Sequence, residues 1–215
     1  MREYQTTYVA MGDSAGVGVG ARAKGGGYVA RLHRRLLAAG YGTQLRNLCV
    51  TGAVSGGVAR RQAPEAVRVA SAGPTLSTLA IGGNDVWRGV SPRAYGRNLD
   101  IAVAQLRATG ALLVMANVPD LSYAPLAAYV PRALYDGRIQ ALNEEVAKVA
   151  QHHGVPLVDL YGHSQLHLPG RPDLFSVDGF HPSAAGYELW AEAMWPEVLA
   201  AAERLQGAGL EALAG

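Results

Sequence analysis

Four short stretches of this chain end in residue types that acyl transfer requires. Gly12-Asp13-Ser14 offers a hydroxyl, Thr51-Gly52 a backbone N–H with no side chain over it, and Gly82-Gly83-Asn84-Asp85 a side-chain NH2. Asp178-Gly179-Phe180-His181-Pro182 offers a carboxylate and an imidazole. Acyl transfer needs a nucleophile, a base to take its proton, a group that orients the base, and donors aimed at the developing oxyanion. Asp178 precedes His181 by three residues, a spacing over which a turn brings the carboxylate to Nδ1, fixes the tautomer and leaves Nε2 facing Ser14. The Ser14 and Gly52 N–H groups and the Asn84 amide are then the candidate oxyanion donors, and the two glycines let the Asn84 loop approach closely. Taken singly each stretch reads as an ordinary turn; their joint presence carries the reading. Asp120, after Val118-Pro119, is a second candidate for the orienting acid, less well spaced from His181.

These groups need a frame. Apolar runs predict strands over Thr6 to Met11, Thr43 to Val50, Thr75 to Ile81, Leu112 to Asn117 and Val155 to Leu160. Helical spacing of apolar residues, with caps and glycine stops, predicts helices over Gly27 to Ala39, Ser55 to about Ser71, Ser91-Pro92 to Gly110 and Arg132 to His153. A last helix capped by Ser183 is expected to break or kink at Pro196. Strands alternating with helices imply an α/β fold, a single three-layer α/β/α domain on a five-stranded parallel sheet over residues 1–206, with Gly207 to Gly215 as a frayed tail. Ligands of such sheets bind outside the carboxyl ends of the strands. Ser14, Gly52, Asn84 and the Asp178–His181 pair would then share one rim.

The four blocks, in this order and spacing from roughly Thr6 to Leu205, resemble those of the SGNH (GDSL-like) hydrolases. Gly12-Asp13-Ser14 looks like block one, with Ala15 where the short motif has Leu; Asn47 to Gly52, Gly82 to Asp85 and Asp178 to Pro182 look like blocks two, three and five. The resemblance implies a flavodoxin-like strand order 2-1-3-4-5 and ester hydrolysis through an acyl-serine intermediate with no metal or cofactor. It also implies Ser14, Asp178 and His181 as the catalytic residues and Ser14, Gly52 and Asn84 as the oxyanion hole. Short- to medium-chain carboxylic esters are the expected substrates. Carbohydrate O-deacetylation, lysophospholipid hydrolysis and acyl-thioester hydrolysis could run on the same triad. The reading from another class is a ligand-binding module on this scaffold without turnover.

Composition narrows the field. Among 215 residues 49% are hydrophobic and 17% charged, within the range of soluble globular chains. Cys49 is the only cysteine, which excludes an internal disulfide and a multi-thiolate zinc site. No run is long and apolar enough for a membrane span, and the start lacks a signal-like apolar region, so the expected compartment is the cytoplasm, or outside the cell if a leader has been trimmed. Ser14 to Pro64 holds eight basic residues and no carboxylate; this is either an arginine-rich solvated surface or a field that steers an anionic substrate. Gly16-Val17-Gly18-Val19-Gly20 lacks the acidic residue a dinucleotide fold needs, and Lys24-Gly25 lacks the hydroxyl of a P-loop. No aromatic-interleaved basic motif suggests a nucleic-acid partner. His163 and His167 fall in a segment expected to be irregular, and His152-His153 are expected to point apart at a helix end, so no metal site is expected. Tyr123, Pro125, Leu126, Tyr129, Leu166, Leu168, Leu174 and Phe175 are candidates either for a substrate pocket or for a cover over the sheet edge.

Overall fold

Residues 6–21, 26–131 and 134–214 are described by the computed structural model; Lys24, Gly25, Arg132 and Gly215 of the readings above, and Arg22 among the eight basic residues, lie outside them. Five strands, β1 (Thr6–Gly12), β2 (Thr43–Asn47), β3 (Thr75–Ala80), β4 (Leu112–Ala116) and β5 (Leu157–Val158), form one parallel sheet in the order 2-1-3-4-5. The α-helices are α1 (Ser14–Val17), α2 (Tyr28–Ala38), α3 (Ser55–Gly57), α4 (Ala63–Ala70), α5 (Gly83–Trp87), α6 (Pro92–Arg107), α7 (Asp136–His153), α8 (Leu160–His167) and α9 (Ala184–Ala214).

Side chains of a strand alternate between the two faces, and here both faces are covered. Tyr8 and Ala10 of β1 join α2 and α9 in one core, through Leu32, Leu36, Tyr187 and Met194. Val9 and Met11 join α4, α6 and α7 in the other, through Ala66, Leu99, Leu106 and Leu142. Every residue of β3 is buried, which is why the central strands read as continuous apolar runs. Helix α6 begins as its sequence indicates: Pro92 lies in the first turn and Ser91 Oγ accepts the Ala94 N–H at 3.3 Å. Between α3 and α4 the chain passes through a π-helical turn, Val58–Gln62, which carries Gln62 into the interior.

Several expected boundaries move. β2 ends at Asn47, although Leu48 and Val50 still donate to the Ala10 and Gly12 carbonyls of β1, at 2.8 and 3.2 Å. β5 shrinks to Leu157–Val158 because Pro156 has no N–H to donate and Asp159 caps a helix, its Oδ1 accepting the Gly162 N–H at 2.9 Å. That helix, α8, runs where an irregular segment was expected, and it places His163 and His167 on one face with ring centroids 4.2 Å apart. α7 starts at Asp136. α9 does not break at Pro196: Ala191 and Met194 before it and Val198 and Ala201 after it are all fully buried against the sheet, which holds the helix through the lost hydrogen bond. The helix extends to Ala214. No helix among the described residues is long and apolar enough to cross a membrane.

Leu99 and Ile101 sit two residues apart on α6, one fully buried and the other 41% exposed. In urea denaturation Leu99→Ala should cost about 2–5 kcal/mol, and Ile101→Ala under about 1 kcal/mol; equal losses would contradict the packing of α6 against the sheet.

Candidate active site

The site grows from the end of β1. Gly12 has φ +156°, and a Cβ there would lie 2.4 Å from the Ala80 carbonyl oxygen of β3, so the chain can pass only without a side chain. Both backbone groups of Gly12 are held by one buried amide: Gly12 N–H donates to Gln62 Oε1 and Gln62 Nε2 donates to Gly12 O, each at 2.8 Å. Asp13 then caps α1, accepting the Ala15 N–H at 3.0 Å, and Ser14 opens that helix almost fully buried.

The histidine arrives on a loop that closes on itself. Phe175 and Pro182 form an antiparallel bridge, Ser176 N–H donates to His181 O at 2.7 Å, and Gly179 turns the chain at φ +67°. Within this loop Asp178 Oδ1 accepts from Ser176 Oγ at 2.7 Å and from the Phe180 and His181 N–H groups at 2.9 Å each. Its Oδ2 meets His181 Nδ1 at 2.6 Å, and His181 Nε2 meets Ser14 Oγ at 2.9 Å. Partial burial of Asp178 works against its charge, but this set of donors outweighs that and holds its carboxyl well below the usual carboxylate range. The sequence-predicted Ser14, Asp178 and His181 are thus brought into one hydrogen-bonded line. Asp120 is not in it: it is buried, accepts the Ser122 N–H at 2.9 Å and faces the neighbouring pocket.

The three donors named from sequence differ in their partners. Among the described residues neither the Ser14 N–H nor the Gly52 N–H has a protein acceptor, and Gly52 adopts φ +76°. Asn84 Nδ2 donates to Ala53 O at 2.9 Å and, at 3.3 Å, to Asp13 Oδ2. The second bond is long, so Asp13 holds that donor only weakly. Asp85 fastens the Gly52 loop to α5: it is fully buried and accepts the Ser55 N–H at 3.0 Å and Ser55 Oγ at 2.6 Å. Burial raises the pKa of Asp85 despite these bonds, and burial likewise pushes Asp13 up to about 6.

Beside Ser14 and Asn84 a pocket opens toward the β4–β5 side, lined by Leu160, Leu168, Leu174, Phe175, Leu189 and Trp190. Of the loop residues proposed from sequence, Leu168, Leu174 and Phe175 line it, whereas Leu126, Tyr129 and Leu166 are exposed. His163 also borders it. The rings of His152 and His153 do not point apart as expected: they stand edge to face with centroids 4.7 Å apart, and His153 Nε2 lies 2.8 Å from Asp100 Oδ1. Gln62, Ser176 and the Ser55–Asp85 pair were missed from sequence. Gln62 left one signal, a lone polar residue beside Ala59, Ala63 and Ala66 on an otherwise apolar face.

A family model described as the GDSL-like lipase/acylhydrolase family matches residues 10–189. The chain belongs to that family. It is 29% identical over 194 residues to the esterase TesA of Pseudomonas aeruginosa, covering 88% of this chain and 86% of that protein. It is 32% identical over 159 residues to a GDSL-like esterase of Mycobacterium tuberculosis, covering 71% of this chain but only about half, 48%, of that protein. The crystal structure of TesA superposes with a TM-score of 0.75 at 27% identity, covering 91% of this chain and 99% of that one. An acetyl-xylooligosaccharide esterase of Geobacillus shares the fold at a TM-score of 0.72 and 20% identity, covering 89% and 93% of the two chains. This chain is accordingly a GDSL-family enzyme, with the strand order its relatives imply.

Asp13 gives the family scaffold a pH signature. Its folded pKa of about 6 stands above the ordinary 3.8, so between those values the folded protein holds more protons than the unfolded one. Stability from this group is fully present below pH 4 and is lost as pH rises through 6, by up to about 3 kcal/mol. Asp13→Asn removes the titration: the stability difference, variant minus parent, should grow by that order between pH 4 and pH 7 in parallel denaturant series. A difference constant with pH would mean that Asp13 is not raised.

Proposed function

We propose that this enzyme is a serine esterase in which Ser14 is the nucleophile, His181 the general base and acid, and Asp178 the group that orients His181. The observation that carries the reading is the line from Ser14 Oγ to His181 Nε2, at 2.9 Å, and from His181 Nδ1 to Asp178 Oδ2, at 2.6 Å. Ser14 Oγ attacks the ester carbonyl while Nε2 takes its proton, and the resulting imidazolium is stabilised by the Asp178 carboxylate. The tetrahedral oxyanion is received by the Ser14 and Gly52 N–H groups and the Asn84 NH2. Collapse expels the alcohol, which takes the proton back from Nε2, and leaves acyl-Ser14. Water, deprotonated by the same Nε2, then releases the carboxylic acid and restores Ser14.

The apolar pocket beside Ser14 supports an apolar acyl group of short to medium length. Each methylene buried there contributes roughly 0.8 kcal/mol of transfer free energy. A catalytic rather than a merely ligand-binding scaffold is supported by the saturation of Asp178, since a binding module has no use for a carboxylate kept ionised behind an imidazole.

Ser14→Ala should lower hydrolysis of p-nitrophenyl butyrate by about four orders of magnitude and abolish labelling by a fluorophosphonate. Asp178→Asn should cost on the order of 10⁴ in kcat, and Asp120→Asn far less; the reverse ranking would move the orienting role to Asp120. Across acetate, butyrate and octanoate esters, kcat/KM should be higher for butyrate than for acetate, and an acetate optimum would contradict the assignment of the pocket to the acyl chain.

A further inference from the structure

The Asn84 helix carries a cation that the hydrolytic line does not use. Arg88 caps the end of α5, one turn after Asn84, its N–H donating to Asn84 O at 2.9 Å, so the two residues lie on the same side of that turn. Its guanidinium reaches over Gly52: a Cβ built on that glycine would lie 3.3 Å from Arg88 Nη2. Arg88 therefore borders two of the three oxyanion donors. It is exposed, and no hydrogen bond or ion pair to another described side chain holds its guanidinium. Other arginines are engaged: Arg138 donates to the Val86 and Val90 carbonyls, Arg31 and Arg35 pair with Glu188, and Arg68 with Glu65. The nearby buried Asp85 feels the Arg88 charge, but its carboxylate is held by Ser55 and forms no hydrogen bond or ion pair with the guanidinium.

Position gives this cation a use. The apolar pocket lies toward β4 and β5, and neither Gly52 nor Arg88 lines it. Gly52 follows β2, on the opposite side of Ser14. An ester whose acyl chain fills the pocket puts its carbonyl oxygen toward Gly52 and its leaving oxygen within reach of His181 Nε2, and the rest of the alcohol, outside the pocket, can extend past the oxyanion donors to Arg88. We propose that Arg88 is a specificity residue that binds an anionic group, a carboxylate or phosphate, on the leaving-group half of the ester. The preferred substrates are then apolar acyl esters of anionic alcohols. This inference rests on the serine-esterase reading and adds the leaving group's charge to it. A guanidinium presents paired N–H donors that match carboxylate and phosphate oxygens.

Phenyl butyrate and 4-butyryloxybenzoate, which differ by one carboxylate, test it by kcat/KM in the parent, Arg88→Gln and Arg88→Lys. The anionic-to-neutral ratio should fall about fivefold in Arg88→Gln, as expected for one solvent-exposed ion pair. The fall should appear in KM for the anionic ester and be partly restored in Arg88→Lys. Raising salt to about 0.5 M should lower the ratio in the parent and leave it flat in Arg88→Gln. A ratio equal in parent and Arg88→Gln overturns the proposal. So does an equal loss on both esters, which would assign Arg88 to the oxyanion itself. Ser14→Ala on phenyl butyrate reports separately: retained hydrolysis there would end the serine-esterase reading whatever the ratios show.

Discussion

The hold of one amide on one glycine decides where Ser14 stands. β1 must stop at Gly12, because the next residues turn out of the sheet into α1, and a buried strand end leaves polar backbone groups that need partners. Gln62 supplies both partners at once, and it is almost fully buried. Losing either half would strand a buried N–H or C=O, which costs far more than one exposed hydrogen bond is worth. The arrangement also constrains the other face of the strand, where the Ala80 carbonyl passes too close for any residue but glycine at position 12. Ser14 is thus fixed from two sides before any catalytic group touches it, and the π turn that aims Gln62 is part of that fixation.

Three aspartates in this site show how environment divides one residue type into different roles. Asp178 lies near the surface and is saturated with donors, so it stays ionised and can face an imidazolium. Asp13 and Asp85 are buried, and burial raises both. Their work is in tying loops: Asp85 draws Ser55 onto α5, and Asp13 caps α1 and reaches toward Asn84.

The parallel sheet and its two helix-covered faces were legible in the sequence, because parallel strands leave apolar runs, the strand order followed from the family resemblance, and the loops after the strands are where Ser14, His181 and Asp178 meet. The misread parts share a cause. α8 was hidden because its helical face is short and interrupted by Gly162, and the signal for it lay in the Asp159 cap rather than in periodicity. Pro196 looked like a break because local propensity argues for one, whereas burial on both sides of it comes from tertiary packing. His152 and His153 looked divergent from spacing alone, before Asp100 of α6 was known to meet the second ring. Arg88 and Gln62 were invisible as site residues for a similar reason, since their meaning lies in what they approach across the fold.

Ser14 and His181 come from two bodies that are organised differently. Ser14, Gly52 and Asn84 follow β1, β2 and β3, adjacent strands whose ends move together because the sheet is one hydrogen-bonded unit. Asp178 and His181 follow α8, and the short β5 does not position them. Their loop is fixed by its own bonds and by the start of α9, where Ser183 donates to Asp173 O and Gly186 lies so close to the Leu174 carbonyl oxygen that a Cβ would fall 2.2 Å from it. α9 is anchored in turn to the chain beyond α1, Tyr187 Oη donating to Val19 O at 2.6 Å. The Ser14–His181 contact is therefore the seam between a sheet-borne half and a helix-borne half. Shortening β5 leaves that seam intact, whereas any change that shifts α9 against the sheet would open it while leaving each half folded.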